Sequence, residues 1–243
     1  MTKYSGKDAI VLINGYNFST FASSFETLQD VGKLDVTGFT DGCQNFIPGL
    51  NMATIKADLF WDSDANSVHA ALASPTTGNV TIFPHGYALG NPTLSMPFMQ
   101  SNYSPKGTPS SPVTVGTINF ESYGATCRGV ENGQALAHAT ITNTATGTGF
   151  IDESGASVTA VCSGTLHIWT PCAADTYVVT IEHSDSVGTG YSTLITFTLD
   201  GSVRASERVV VASGAIKPYR RVVATRTGSA NNPFGYSVHF AHA

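Results

Sequence analysis

The chain has 243 residues, of which 42 % are apolar and only 12 % charged, and its formal net charge is −5. That length holds one large all-β domain or two domains of about 120 residues each. The shortage of cations excludes a grip on nucleic acid through its phosphates, which needs clustered Lys and Arg.

Thr, Ser, Asn and Gly carry the polarity instead. A surface this poor in Lys and Glu fits burial in an assembly, because interface cores are depleted in charge. It also fits a neutral extracellular-type β domain. The charge is uneven. Residues 1–125 carry five Lys/Arg against nine Asp/Glu, while residues 203–226 carry Arg204, Arg208, Lys217, Arg220, Arg221 and Arg226 against Glu207 alone. That basic stretch reads as a charge-complementary contact or as a solvated face.

In chain order, "AIVLING" (9–15) is a buried strand ending at a Gly turn. Residues 19–39 read as a hairpin with its tip near Gln29–Lys33. "NMATIKADLFW" (51–61) alternates cleanly: Ala53, Ile55, Ala57 and Leu59 point one way, Thr54, Lys56 and Asp58 the other. A helix is expected over 62–74, with Asp62, Ser63 or Asp64 as N-cap and Val68, Ala71 and Leu72 at i, i+3, i+4. Strands follow at 79–84 and 93–104, where Pro97 suggests an edge or a bulge. In the strand 113–124, Gly116 shifts the apolar phase, as a bulge would.

From about residue 125 the helix signal is gone. Strands recur at 135–143, 163–170, 175–184, 191–199, 207–213, 219–227 and 235–243, the spacing of a sandwich or jelly roll. The expected boundary lies near 124–133, giving domains 1–124 and 125–243.

Chemistry is scarce. No GxSxG elbow, HExxH, P-loop or GxGxxG is present. The four cysteines (Cys43, Cys127, Cys162, Cys172) form no CxxC and no zinc spacing with His. Cys162 and Cys172 suit a disulfide between neighbouring strands or, in a cytoplasm, a reduced pair. His167, His183 and His239 read as outward-facing or satisfied strand residues, and His239 and His242 fall on opposite faces. Asp62, Asp64 and Asn66 open like a calcium loop, but Ser67 stands where Gly is needed and Ala73 where the bidentate Glu belongs. Glu182-His183-Ser184-Asp185 are sequence neighbours on a strand, which face apart. Trp61, Trp169 and Tyr191 are either core or stacking platforms for sugar. The expectation is no enzyme, no cofactor and no metal. No signal peptide precedes the first strand, the sequons at Asn17, Asn79 and Asn102 are read as chance, and no apolar run approaches membrane-spanning length.

The order "IVLINGYNFS", polar hairpin, "LDVTGFTDGCQNFIPGL", alternating strand "ATIKADLFWD", short helix "SVHAALAS" and strand "NVTIFPHG" resembles the major tail tube proteins of long-tailed bacteriophages. The resemblance covers residues 6–124, most specifically the Thr-Gly-Phe turn, Pro-Gly-Leu and a strand closing on an aromatic and Asp. The C-terminal part is similar to β-rich regions of phage tail proteins. The resemblance implies a mostly β chain, with a tail-tube-like β-sandwich or barrel bearing one short helix, then a β-sandwich-like C-terminal domain that is a second tube-like copy or an outer decoration. It implies a virion protein, made in the host cytoplasm, that assembles with itself into stacked rings and a tube for genome delivery. Six chains close a ring, or three if the second half is also a tube domain. Its partners would be itself, the tape measure and tail terminator, and DNA in transit without specific binding; no membrane is involved.

In that family the long loop or hairpin after the first strand reaches a neighbouring subunit or ring, which corresponds here to residues 26–50, expected to be polar-tipped. Asp30, Lys33, Asp35, Phe39, Phe46, Pro48 and Leu50 become inter-subunit contact candidates, and Thr54, Lys56 and Asp58 lumen-facing ones. Lys56 suits an acidic lumen only if it pairs with Asp58 of a neighbour. The other reading is a carbohydrate- or receptor-binding sandwich of a tail fibre or decoration protein.

Overall fold

A computed structural model describes residues 6–38, 42–64, 66–147, 151–153, 157–229 and 231–242. In the N-terminal half the strands are β1 (Ile10–Ile13), β2 (Tyr16–Asn17), β3 (Ala22–Asp35), β4 (Phe46–Phe60), β5 (Thr77–Phe83), β6 (Pro92–Gln100), β7 (Pro105–Thr108) and β8 (Ser111–Ser122), with a helix α1 (Val68–Leu72) between β4 and β5. The C-terminal half holds β9 (Glu131–Ile141), β10 (Ala145–Thr146), β11 (Ile151–Asp152), β12 (Val158–Thr170), β13 (Thr176–Ser184), β14 (Ser192–Thr196), β15 (Ala205–Ile216), β16 (Tyr219–Thr227) and β17 (Phe234–His242). The chain is mostly β, with antiparallel sheets and one short helix among the described residues.

One large sheet runs β15-β12-β17-β9-β6-β5-β1-β2 and forks at β6. The start of β6 pairs with β9 and its end with β8. From β8 the fork continues to β4 and then β3, with β7 on β8's other side. A second sheet, β10-β16-β13-β14 with β11 also on β16, faces the C-terminal part of the first.

Pro97 is not at an edge: it pairs with Asn79 of β5 and sits where β6 changes partners. Its carbonyl accepts from Tyr123 on the fork side. Backbone N and O of one strand residue point the same way, so its missing N–H falls in the gap between β9 and β8, where no ladder bond is lost. The turn Asn14-Gly15 joins β1 to β2 with φ of 48° and 81°, the left-handed pair that a two-residue hairpin requires. Gly116 does mark a bulge, since two steps on β4 (Ala57 to Leu59) match three on β8 (Ile118 to Val115).

The helix is shorter than expected. It has five residues, its N-cap is Ser67, and Ser67 makes no side-chain cap bond. Asp62 instead accepts the backbone N–H of Asp64, and its carbonyl accepts the Ser67 hydroxyl, a turn that competes with helix. The hairpin assigned to 19–39 is also corrected. β3 is one 14-residue strand with no turn at Gln29–Lys33, and it pairs with the 15-residue β4.

Two large apolar cores result, with a small third cluster of Leu12, Phe83 and Ala135. One gathers Val11, Ile13, Ile55, Leu59, Val80, Ile82, Phe98, Ile118 and Phe120 under Val68 and Leu72 of α1. The other gathers Leu166, Ile168, Tyr177, Val179, Ile181, Val222, Phe234, Val238 and Phe240 between the two C-terminal layers. Alternation puts the opposite faces of β5, β6, β12 and β17 against each other, and that layer is polar: Thr81, Thr93, Ser95, Ser163, Thr165, His167 and His239 are all buried.

His167 and His239 are therefore inward-facing, so of the two readings, outward-facing or satisfied, the outward one fails for both and the satisfied one holds for His167. His167 Nδ1 accepts the N–H of Gly15 at 3.3 Å, so the network puts the proton on Nε2, which donates to Thr81 Oγ1 at 2.8 Å. Thr81 bonds Ser95, and Ser95 bonds Thr165. His239 Nδ1 meets the Thr93 hydroxyl. Burial holds His167 down at about 3 and His239 at about 4.

The basic stretch is neither a solvated face nor a free contact. Arg208 pairs with Glu131, Lys217 with Asp185, Arg220 with Glu153, Arg221 with Glu182 and Arg226 with Asp175. Arg204 lies over the Tyr16 ring at 5.0 Å. The Arg208–Glu131 pair is nearly dry, with side chains 5 % and 4 % exposed. Desolvation pushes the Glu131 carboxyl up, but the Arg208 hydrogen bonds and charge, with Ser163, bring it below its ordinary value.

The two neutral histidines predict the acid response. Their folded pKa values lie below the ordinary 6.5, so the unfolded chain takes up protons first as pH falls. Stability is full above about pH 6.5 and declines towards pH 4, by about 1.4 kcal/mol per pH unit for each histidine. Urea unfolding at pH 7, 6 and 5 should show the midpoint falling. A His167→Gln/His239→Gln double variant should start lower at pH 7 but show a clearly shallower decline over that range.

Candidate functional site

The feature without a structural role in the body is the β3–β4 hairpin. β8 covers β4 from Thr54 to Phe60, and no pairing with β8 extends further towards Phe46. The segment joining Asp30–Asp35 to Phe46–Met52 is therefore a two-stranded ribbon beyond the body. Opposed residues share a face. One face carries Ser24/Asp58, Glu26/Lys56 and Leu28/Thr54, then Asp30/Met52 and Leu34/Ile47.

Near the body that face is polar. Lys56 and Thr54 are half-exposed, as is Asp58, while Ala53, Ile55, Ala57 and Leu59 are buried on the reverse. Thr117 and Asn119 of β8 complete a shallow polar depression with Ser24, Glu26, Lys56 and Asp58. Lys56 does not wait for a neighbour: its ammonium lies 3.1 Å from Glu26 on β3 of the same chain. Asp58 accepts the Ser24 hydroxyl at 2.6 Å. That bond, then one from Thr117, holds its carboxyl below the ordinary value and keeps it ionised.

Further out the two strands of the ribbon carry exposed apolar side chains, while Thr37, Gln44 and Asn45 at its far end are polar. Leu28, Val31, Leu34, Val36, Phe46, Ile47 and Met52 are all exposed, Met52 at 66 % and Leu34 at 55 %. Of the contact candidates, Asp30, Lys33 and Asp35 are exposed on β3 and Phe46 on β4. Asp30 faces with Met52, whereas Lys33 and Asp35 lie on the reverse face, opposite Pro48 and Phe46. The backbone of Pro48 and Leu50 belongs to β4, and Phe39 lies outside the described residues. Sequence reasoning missed Leu28, Leu34, Ile47 and Met52, although their alternation was there to read once the hairpin register was known.

Two strand edges are bare at opposite ends of the fork. Among the described residues β3 pairs only with β4, and β7 only with β8. The sheet β3-β4-β8-β7 thus ends on both sides in unpaired backbone.

The other candidates disperse. Glu182 binds Arg221, His183 accepts from the Lys217 backbone, Ser184 donates to the Thr189 carbonyl and Asp185 binds Lys217 and Ser157. No acid–base–nucleophile chain joins them. Trp61 packs on His69, Trp169 stacks on His138 and Tyr191 lies under Arg221, so the three make no common platform. Among the described residues no group of three or more His, Cys, Asp or Glu is placed to hold a metal ion, and all four thiols are free.

No family model matches the chain, and no curated protein matches it. Among solved structures, a chain in the virion of a native gene transfer agent particle is similar at 14 % identity and TM-score 0.41, over 51 % of this chain and 96 % of that one. A chain in the tail of an empty gene transfer agent particle, of C6 symmetry, is similar at 15 % identity and TM-score 0.40, with the same shares covered.

Because the distal ribbon lies outside both cores, its apolar side chains should be dispensable for folding. A Leu34→Ser/Ile47→Ser variant should keep its melting temperature within about 2 °C, as substitutions away from packed sites change stability by roughly 0.5 kcal/mol or less. Binding of a hydrophobic dye by the native subunit should fall in the same variant.

Proposed function

We propose that this chain is a structural protein of a phage-type tail, which closes into rings and stacks as a tube through which DNA passes. The observation that carries the reading is the combination of an exposed apolar ribbon with a sheet whose two outer strands, β3 and β7, each leave one edge unpaired among the described residues. A long, flat, apolar edge is an aggregation hazard unless a partner covers it. The element order that resembles the tail tube family names that partner as the chain itself.

In this reading lateral contact joins the β3 edge of one subunit to the β7 edge of the next. The ribbon crosses to a subunit of the adjoining ring. The polar face of Glu26, Lys56, Asp58, Asn119 and Glu121 lines the channel. Lys56 is neutralised by Glu26 and Asp58 stays ionised, which leaves the wall weakly acidic and repellent to phosphates. Six chains form the ring. The C-terminal half crosses its strands differently, with β12 between β15 and β17 and β13 between β14 and β16. Among the described residues it has no helix and no projecting hairpin, so we assign it to the outside of the tube. The tape measure and the terminator are the further partners at the lumen and the tube end.

Negative-stain electron microscopy of the purified protein across a concentration series tests the reading. Rings or tubes should appear as concentration rises, and Leu34→Asp/Ile47→Asp should abolish stacked tubes without unfolding the subunit. A protein that stays monomeric at high concentration, with its tail partners present, overturns the proposal.

A further inference from the structure

The ribbon is not uniform along its length. On β3 one residue, Gly32, separates Val31 from Lys33, while on β4 two, Leu50 and Gly49, separate Asn51 from Pro48. The extra residue is a bulge beside Gly49. A Cβ built on Gly49 would lie 3.0 Å from the Gly32 carbonyl oxygen and 3.5 Å from its Cα. Two glycines therefore meet across the ribbon, where the backbone is least restrained. Pro48, paired with Lys33, has no N–H to give. The ladder is weak at this one level.

On either side it is firm. Proximally, Leu28 to Val31 pair without interruption with Thr54 to Asn51. Distally, Leu34 pairs with Ile47 and Asp35 with Phe46, and the Val36 N–H donates to Asn45 at 2.9 Å. The far end is locked by side chains as well. Asp35 accepts from the backbone and hydroxyl of Thr37, and Thr37 accepts from the Asn45 N–H at 2.9 Å. A firm tip stands on a soft joint. The chemistry changes nearby too, from the Glu26–Lys56 ion pair at the base to Leu34 and Ile47 at the tip. A bulge bends its strand and increases local twist.

We infer that Gly32 and Gly49 form an elbow about which the tip swings as a unit, so that its facing is set independently of the polar base. The joint is a property of the free subunit. Its use, to seat the tip on a second copy while the base stays turned to the channel, rests on the tube reading.

Two measurements on the full chain test it. In amide exchange of the subunit, Gly49 and Leu50 should exchange about 10-fold faster than Val36 and Asn45, the reverse of a ribbon fraying from its end. For distances, one spin label goes on the exposed Cys43 in a Cys127→Ser background and the other on the body through Val203→Cys. The Cys43–203 distribution should be about twice as wide in the native chain as in Gly49→Val, which loses glycine's freedom, with Gly49→Ala between them. Equal widths, or tip amides exchanging faster than the elbow, overturn the inference. A mobile elbow in a protein that forms no tubes overturns the tube reading instead and leaves the elbow standing.

Discussion

β4 is longer than the body that buries it, and the rest of the molecule is arranged around that mismatch. From Ala53 to Leu59 every second side chain is sealed in the N-terminal core, which fixes the register, because a one-residue slip would turn the whole set into water. The same register is then imposed on the part of β4 that no other strand but β3 accompanies. There the alternation continues with nothing to cover it. Up to the bulge beside Gly49, the strand specified by its buried half thus presents the following residues in a defined orientation. Beyond the bulge the ribbon holds its own ladder, with Asp35, Thr37 and Asn45 bonded across its far end.

That arrangement needs a body that does not yield, and the polar layer supplies the rigidity. A second apolar interface between the halves would accept many packings. A chain of hydrogen bonds from Gly15 through His167, Thr81 and Ser95 to Thr165 accepts very few. The Asn14-Gly15 turn must approach β12 closely, since a Cβ on Gly15 would fall 2.8 Å from the Ile168 carbonyl oxygen. The β1–β2 hairpin is therefore keyed into the C-terminal half. The Arg208–Glu131 pair works in the same sense: buried pairs of this kind contribute more to a unique geometry than to net stability, because desolvation offsets their attraction.

What could be read from the sequence follows from range. The strand over 51–61 was legible because its period is two and one face is wholly apolar. The bulge at Gly116 was legible because the phase visibly slips, and the seven C-terminal strands because turns punctuate them. The hairpin 19–39 was misread because Gly32 looks like a turn, whereas it faces a bulge on a strand 17 residues away. The helix was overextended because Asp62 and Asp64 resemble caps, while the carboxylate of Asp62 is spent on a local turn. The ion pairs were illegible, since Arg208 and Glu131 are 77 residues apart and only the sheet order joins them. In the candidate site, alternation alone placed Thr54, Lys56 and Asp58 together. The partner of Lys56 depended on the register of β3, and so did the apolar character of the ribbon's two strands.

The charge economy of the chain fits the assembly reading from another direction. Charged residues are only 12 % of the sequence, and five of the six cations between 203 and 226 are consumed in internal pairs. The surface left for solvent is poorer in cations than the composition suggests. For a monomer that is a solubility penalty. For a subunit it is useful, because strand edges and apolar ribbons meet without stripping water from many charges. It also bears on the channel proposed above. A conduit for a polyanion needs a wall with no unpaired cation row and a modest surplus of ionised carboxylates. Glu26 neutralises Lys56 while Ser24 and Thr117 keep Asp58 charged. In the proposed tube, the charge of this face would be set by hydrogen bonds within one subunit and not by how neighbouring subunits align.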